Sequence, residues 1–497
     1  MARKWWTLIA VCIATFMLLL DITIVNVALP AIERALKASF SDLQWVVDAY
    51  ALALAVCVLT AGALADLFGR KRLFLLGIVL FTIASAACGG ANDPLFLIIA
   101  RGVQGIGGAM MFATALALLS QEFHGKERGT AFGLWGATIG AAVAVGPLAG
   151  GMLTSWLSWR WIFFVNIPIG VVAIFLGMRE LRESSDPEHS RLDPIGLVTL
   201  TAGLLCLILA LIEGNDHGWT SALILSLLAA GVVVLGLFVW SQTRKTTTMI
   251  DLALFKRPAF LGAQVTAFAI SSSMFAMFLY LTLYLQNILG LSPLATGLRF
   301  LPLSVVSFFA APLAGRLVGT VPIRAMLGFG LALNAIAMWL MSRVTPSSHW
   351  TVLLPGFLLG GIGIGFVNAP LATTAVSTVR VERAGMASGI NNTFRQIGIA
   401  TGIAALGAVF QHRVETRLQA LAPGATHGLA STVVASGPRA AAAQVGAGER
   451  ARVTHAATQA FASGTHSLLL VGTIIVAAGA VSAFAFVRER DLNHGAG

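Results

Sequence analysis

Apolar stretches of about 20 residues, the length a helix needs to cross a bilayer, recur along the chain between charged or turn-forming breaks. They lie near 5–29, 45–64, 73–91, 95–119, 130–153, 161–178, 195–213, 220–240, 259–286, 295–315, 324–342, 352–377, 384–410 and 466–487, fourteen in all. Strands with open edges would leave backbone groups unpaired in lipid, so each stretch is expected to be a helix and the chain an all-α polytopic membrane protein. The first stretch follows Met-Ala-Arg-Lys in the manner of a signal peptide. Its length, and the acid Asp21 inside it, predict a retained span instead.

Composition agrees with this pattern. Of 497 residues only 11% are charged and 57% are hydrophobic, where soluble domains carry about 25% charged residues. An ordinary soluble enzyme is excluded. A net charge of +11 would point to nucleic acid in a soluble protein, but here topology accounts for it. With the N-terminus in the cytoplasm, twenty of the 32 Lys and Arg fall in inside segments and four in short outside loops. That bias obeys the positive-inside rule and places both termini of a multi-pass inner (plasma) membrane protein in the cytoplasm. The expected surroundings are the lipid bilayer and no nucleic acid; the oligomeric state is left open.

Organisation follows from the breaks and from a faint repeat. Residues 101–109, RGVQGIGGA, lie over 357–365, FLLGGIGIG, and similar offsets relate Gly62 to Gly315 and Gly133 to Gly389. Transporter folds are often built from such duplicated bundles. The expected division is an N-terminal six-helix bundle (1–178), a cytoplasmic linker (179–194), two inserted transmembrane helices (195–240) and a C-terminal six-helix bundle (241–490). The last includes an external loop at 411–465, rich in Ala and Gly and carrying His412, His427 and His455, which is expected to be solvated and of low complexity.

Four cysteines, Cys12, Cys57, Cys88 and Cys206, all sit in apolar runs, with no disulfide or zinc-type spacing. There is no nucleotide-binding lysine loop and no nucleophile elbow. No catalytic group, metal or cofactor is therefore expected. Chemistry must reside in the few ionisable groups inside the spans, which are costly in lipid and mark function by default. Asp21 lies about eight residues before the external end of its span, roughly 12 Å deep, and Arg101 about six residues into the fourth span, roughly 9 Å deep. At matching depth they can face each other, and a proton on Asp21 would break the pair and change the local charge. A static ion pair that only sets helix register is the other reading.

After the second span the chain reads Gly62-Ala-Leu-Ala-Asp66-Leu-Phe-Gly69-Arg70-Lys71-Arg72. Gly62 permits close helix approach, Gly69 a tight turn, and Asp66 can accept from Arg70 or from a helix N-terminus of the opposite bundle. The fifth span contains Gly146-Pro147 and Gly150-Gly151, which bend the helix and let neighbours close in. In the second half no Asp or Glu occurs between Asp251 and Glu382. The thirteenth span instead carries Asn391, Asn392, Arg395 and Gln396, with Arg395 roughly 16 Å deep. That polar cluster suits a neutral, carbonyl-rich or anionic substrate better than a cation; an arginine bonded to backbone carbonyls for stability is the alternative.

The frame at 62–72 resembles the loop signature of the major facilitator superfamily. Arg101-x-x-Gln104-Gly105 resembles its fourth-span motif, and Gly146-Pro147-x-x-Gly150-Gly151 the fifth-span motif of its antiporters, with Ala142 standing where a further glycine is usual. The segments at 20–30, including Asn26, and at 159–168 are similar to those of the fourteen-span drug:proton antiporter branch. The resemblance implies the major facilitator fold, two six-helix bundles plus two inserted helices. It also implies proton coupling through Asp21 and Arg101, gating through Gly62, Asp66, Gly69 and Arg70, and exchange rather than uptake from Gly146, Pro147, Gly150 and Gly151. The substrate cavity is expected to include Asn26, Gln104, Asn391, Asn392, Arg395 and Gln396. Such a protein would export small amphipathic drugs, antibiotics or toxic metabolites against protons, because Phe- and Met-rich spans offer adaptable apolar contact. A proton-coupled uptake symporter and a non-transporting receptor are the rivals. The fifth-span motif disfavours the first, and the lack of any soluble domain or catalytic cluster disfavours the second.

Overall fold

The computed structural model describes residues 3–38, 40–185, 193–244, 251–379 and 384–488. The first half forms α1 (Arg3–Leu36), α2 (Phe40–Phe68), α3 (Arg70–Gly89), α4 (Pro94–Glu122) and α5 (Gly125–Trp156), then a broken sixth span of α6 (Trp161–Phe164) and α7 (Asn166–Glu180). A hairpin of α8 (Pro194–His217) and α9 (Ala222–Arg244) follows. The second half contains α10 (Pro258–Leu283), α11 (Pro293–Leu317), α12 (Ile323–Met341), α13 (Leu354–Ser377), α14 (Ala384–Leu421), α15 (His427–Ser436), α16 (Pro438–Ala443) and α17 (Arg450–Phe486). Thirteen spans are long and apolar enough to cross a membrane. The fourteenth is α5, 32 residues long.

Local sequence explains where the helices begin. Asp93, Asp193 and Ser292 accept the backbone N–H of Phe96, Gly196 and Ala295, and a proline follows each cap directly. Once in lipid, backbone pairing holds each helix and small residues decide which helices meet. On α4, a Cβ at Gly105 would lie 2.9 Å from Ala53 of α2, and one at Gly107 would lie 2.7 Å from the Phe81 nitrogen of α3. The glycine run of the fourth span is thus the packing surface for two neighbours.

The repeat reappears as duplicated packing. α1 packs on α5 and α2 on α4 in the first half, as α10 packs on α14 and α11 on α13 in the second; α3 and α12 repeat one another against α4 and α13. Across the junction, α5 meets α11 and α2 meets α14, the same pair of positions with the halves exchanged. The inserted hairpin breaks this symmetry. Leu200, Leu204 and Ile208 of α8 pack with Leu52 and Leu59 of α2 and with Met386 and Ile390 of α14, so α8 covers one of the two seams.

The expected loop at 411–465 is not a loop. α14 continues to Leu421, α15 and α16 fold beyond it, and α17 starts at Arg450. Alanine is the best helix former, and apolar residues recur at helical spacing: Val414, Leu418 and Ala422 bury against a core that also takes in Val453, Ala457 and Phe461. His412 and His455 are exposed on these helices, and the side chain of His427 lies outside the described set. Of the linker, residues 186–192 lie outside the described residues.

Candidate functional site

Asp21 and Arg101 meet in the core of the first bundle, 0% and 1% exposed. Arg101 Nη1 donates to Asp21 Oδ2, while Asp21 Oδ1 accepts from Gln104 Nε2 and Asn166 Nδ2, each at 2.9 Å. Two further bonds hold Arg101: Nε reaches the Val46 carbonyl at 3.0 Å and Nη1 the Gln104 Oε1 at 2.8 Å. Its guanidinium carbon lies 4.3 Å from the Tyr50 ring centroid, a cation–π contact. A buried charge pair is tolerable only when such bonds satisfy the remaining lone pairs and protons. One acceptor breaks the pattern. Asn166 gives Nδ2 to Asp21 and to Ser85 Oγ at 3.0 Å, yet its buried Oδ1 has no partner.

The helices deliver these groups for readable reasons. Arg101 and Gln104 are three apart on α4 and share a face. Asn166 is the first residue of α7, just past the break in the sixth span. Gln104, expected in the substrate cavity, is wholly buried and belongs to the Asp21 cluster instead. Asn166, Tyr50 and Ser85 were not singled out from the sequence. The only hint of Asn166 was a lone amide in an apolar run, within the antiporter-like segment at 159–168.

A second constellation joins the bundles at the end where α2 turns into α3. Asp66 Oδ1 accepts from Arg70 Nε and Nη2 at 3.0 and 2.9 Å. Asp66 Oδ2 accepts the backbone N–H of Met386 at 2.7 Å, in the first turn of α14, where a carboxylate also meets the positive helix end. Gly69 has φ 107°, a conformation that glycine adopts freely. A Cβ there would collide with the Glu183 carboxyl at 2.6 Å. That carboxyl accepts from the Lys71 and Arg72 backbone at 3.0 and 3.1 Å, capping α3. Gly62 is buried within α2. At the same end of the other seam, Gly129 of α5 lies directly on Gly315 of α11, and Cβ atoms there would strike the facing carbonyls.

The antiporter-like glycines sit elsewhere. Gly146 presses on Thr23 of α1, inside the first bundle; Gly150 is buried, and a Cβ on Gly151 would meet nothing within 4 Å. The side chains of Pro147 and Asn26 lie outside the described set.

In the second bundle the expected polar cluster is largely assembled, with two further members. Arg395 Nη2 donates to Asn368 Oδ1 of α13 at 3.1 Å, and its Nε lies 3.5 Å from Asn391 Oδ1. Asn391 Nδ2 donates to Gln264 Oε1 of α10 at 3.2 Å, and Asn392 Nδ2 crosses to the Phe112 carbonyl of α4 at 3.1 Å. Gln396 is half-buried and outside this set of bonds. Asn368 and Gln264 carry no motif, and only the fold brings them to α14.

The major facilitator superfamily model matches residues 11–403. The multidrug resistance protein Stp of Mycobacterium tuberculosis (strain CDC 1551 / Oshkosh) is 39% identical over 404 residues, 81% of this chain and 75% of that one. The puromycin resistance protein pur8 of Streptomyces alboniger is 38% identical over 413 residues, 82% of each. Among solved structures, the proton:xylose symporter XylE superposes with a TM-score of 0.66 at 13% identity, covering 98% of this chain and 96% of that one. Fold, duplicated packing and sequence agree: this chain belongs to the major facilitator superfamily.

Proposed function

We propose that the chain is a proton-driven antiporter that exports amphipathic drugs, antibiotics or toxic metabolites across the cytoplasmic membrane by alternating access. In this reading the bundles at 1–178 and 241–490 rock against each other, with both termini in the cytoplasm. The observation that carries it is the buried Asp21 carboxylate, held by Arg101, Gln104 and Asn166. Protonation would cancel its charge, release Arg101 and change the balance of the bundle. The unpartnered Oδ1 of Asn166 suits such a cycle. Turning the amide over presents an acceptor to a protonated Asp21, as its NH2 serves the carboxylate.

The basic end supplies the gate. Asp66 on the α14 N-terminus and the Gly129–Gly315 contact hold the bundles together there, so this conformation is closed at the end expected to face the cytoplasm. Relatives named for resistance to antibiotics support export as the direction. Across about 100 mV and one pH unit, one proton supplies about 2.3 and 1.4 kcal/mol, enough for a gradient of a few hundred-fold. In everted membrane vesicles with an acidified lumen, puromycin is expected to accumulate inside and to leak back when a protonophore is added. Energised loss of preloaded puromycin from the vesicles would instead establish a symporter.

A further inference from the structure

The substrate's charge can be read from the polar cluster on α14. Asn392 makes a bond across the junction to Phe112. Arg395 lies three residues further along the same face. On the other seam the contacts with α11 and α13 climb α5 from Gly129 through Gly133 and Gly136 to Gly140, whose Cβ would lie 3.4 Å from Ser307 Oγ of α11. Beyond that level Gly146 turns to its own bundle. A Cβ on Gly136 would lie 3.1 Å from Asn368 Cβ, the side chain whose Oδ1 holds Arg395. Arg395 is therefore held at the junction by an amide that faces the glycine stripe of α5.

Its charge balance is unlike that of Arg101. Arg101 has Asp21; Arg395 has only amide oxygens and, among the described residues, no ion pair. Two of its five N–H donors are engaged, one at the outer limit of hydrogen-bond distance. The sequence holds no Asp or Glu between Asp251 and Glu382, so α10 to α13 offer it no carboxylate. Two further polar atoms on the facing helices, Asn392 Oδ1 of α14 and Ser307 Oγ of α11, are buried without a partner among the described residues. A guanidinium presents a planar fork that matches a carboxylate's two oxygens.

We propose that Arg395, braced by Asn368 and Asn391 at the inter-bundle junction, is the seat for the oxyanion of an acidic amphipathic substrate. The inference rests on the exporter reading and adds one class to that exporter's amphipathic substrates, organic acids with a large apolar body.

The test is equilibrium binding to the purified full-length protein, with 1-pyrenebutyrate as acidic probe and its methyl ester as the neutral one. Arg395→Gln is expected to weaken the acid at least tenfold and the ester less than twofold, with Arg395→Lys in between. Unchanged affinity for the acid, or equal loss of acid and ester, would overturn the assignment. Should Arg395→Gln fail to fold, Asn368→Asp keeps the shape and sets a carboxylate against the guanidinium. It should stabilise the protein and still expel the acid while sparing the ester; undiminished acid binding in that variant would also overturn the assignment. Binding is read without a gradient, so a failure of proton coupling would show only in the vesicle assay.

Discussion

Asp21 is the residue on which the transport reading turns, and its surroundings predict a separable phenotype. Asp21→Asn keeps the shape and leaves one oxygen, for Arg101 or for Gln104, but removes the negative charge and the capacity to titrate. Breaking a buried ion pair by removing one partner costs about 3–5 kcal/mol; the Val46 carbonyl, Gln104 and Tyr50 still hold Arg101 and should reduce that figure. The variant should therefore insert, melt several degrees lower, bind puromycin and fail to export it. Adding Arg101→Gln should recover part of the melting temperature and none of the export, and undiminished export by either variant would refute the coupling role. The pairing itself was legible in the sequence, because two charges at matching depth in apolar helices have few alternatives. The three-residue spacing of Gln104 from Arg101 also points to this cluster, where Gln104 bonds both charges. Asn166 and Tyr50 were not legible: single polar atoms in apolar runs carry no register, and only the packing of α7 and α2 against α4 aims them.

Among the elements, the turn from α2 to α3 and the head of α14 act as one device. The 62–72 frame announced the turn, but not Glu183, whose carboxyl fills the space above Gly69 from 114 residues away; linear spacing cannot find such a partner. The helices at 411–465 were hidden differently, since an Ala-rich stretch looks like low complexity until its buried Val414, Leu418 and Phe461 are seen packed together. Asp66→Asn should weaken the bond to Met386 and the favourable meeting of a carboxylate with a helix N-terminus, worth about 0.3–2 kcal/mol. In the proposed alternating-access cycle that contact would be made in one conformation and broken in the other, so the variant should alter turnover more than puromycin affinity. Affinity falling as steeply as transport would mean that the loop belongs to the binding site. The inserted hairpin yields a related expectation. α8 is hydrogen-bonded to α2 through Thr60 and Thr201, 3.0 Å apart, but its contact with α14 is apolar. α8 should thus ride with the first bundle while α14 slides past it. A Thr60→Cys/Thr201→Cys disulfide should leave most transport intact, and a cysteine pair bridging α8 to α14 should arrest it; the reverse result would assign α8 to the second bundle.

At the scale of the whole molecule, the two bundles carry different charge. The first pairs Asp21 with Arg101. In the second, Arg299 lies near the start of α11 with its Nη1 on the Ala295 carbonyl and Arg395 lies deep on α14, with no acid in that half's spans to balance either. In the proposed exchange an acid bound at Arg395 would leave the cell as an anion while Asp21 carried a proton inward, so each cycle would move two charges down an inside-negative potential. A neutral substrate exchanged for one proton moves a single charge. At about 100 mV and no pH gradient, those cycles gain about 4.6 and about 2.3 kcal/mol, or limiting gradients of about 2,000-fold and about 50-fold. Proteoliposomes with a valinomycin-imposed potassium potential separate the cases: accumulation of 1-pyrenebutyrate should rise with potential twice as steeply, on a logarithmic scale, as that of its methyl ester. Equal slopes would mean that the acid crosses protonated, with Arg395 contributing shape and hydrogen bonds but no charge selection.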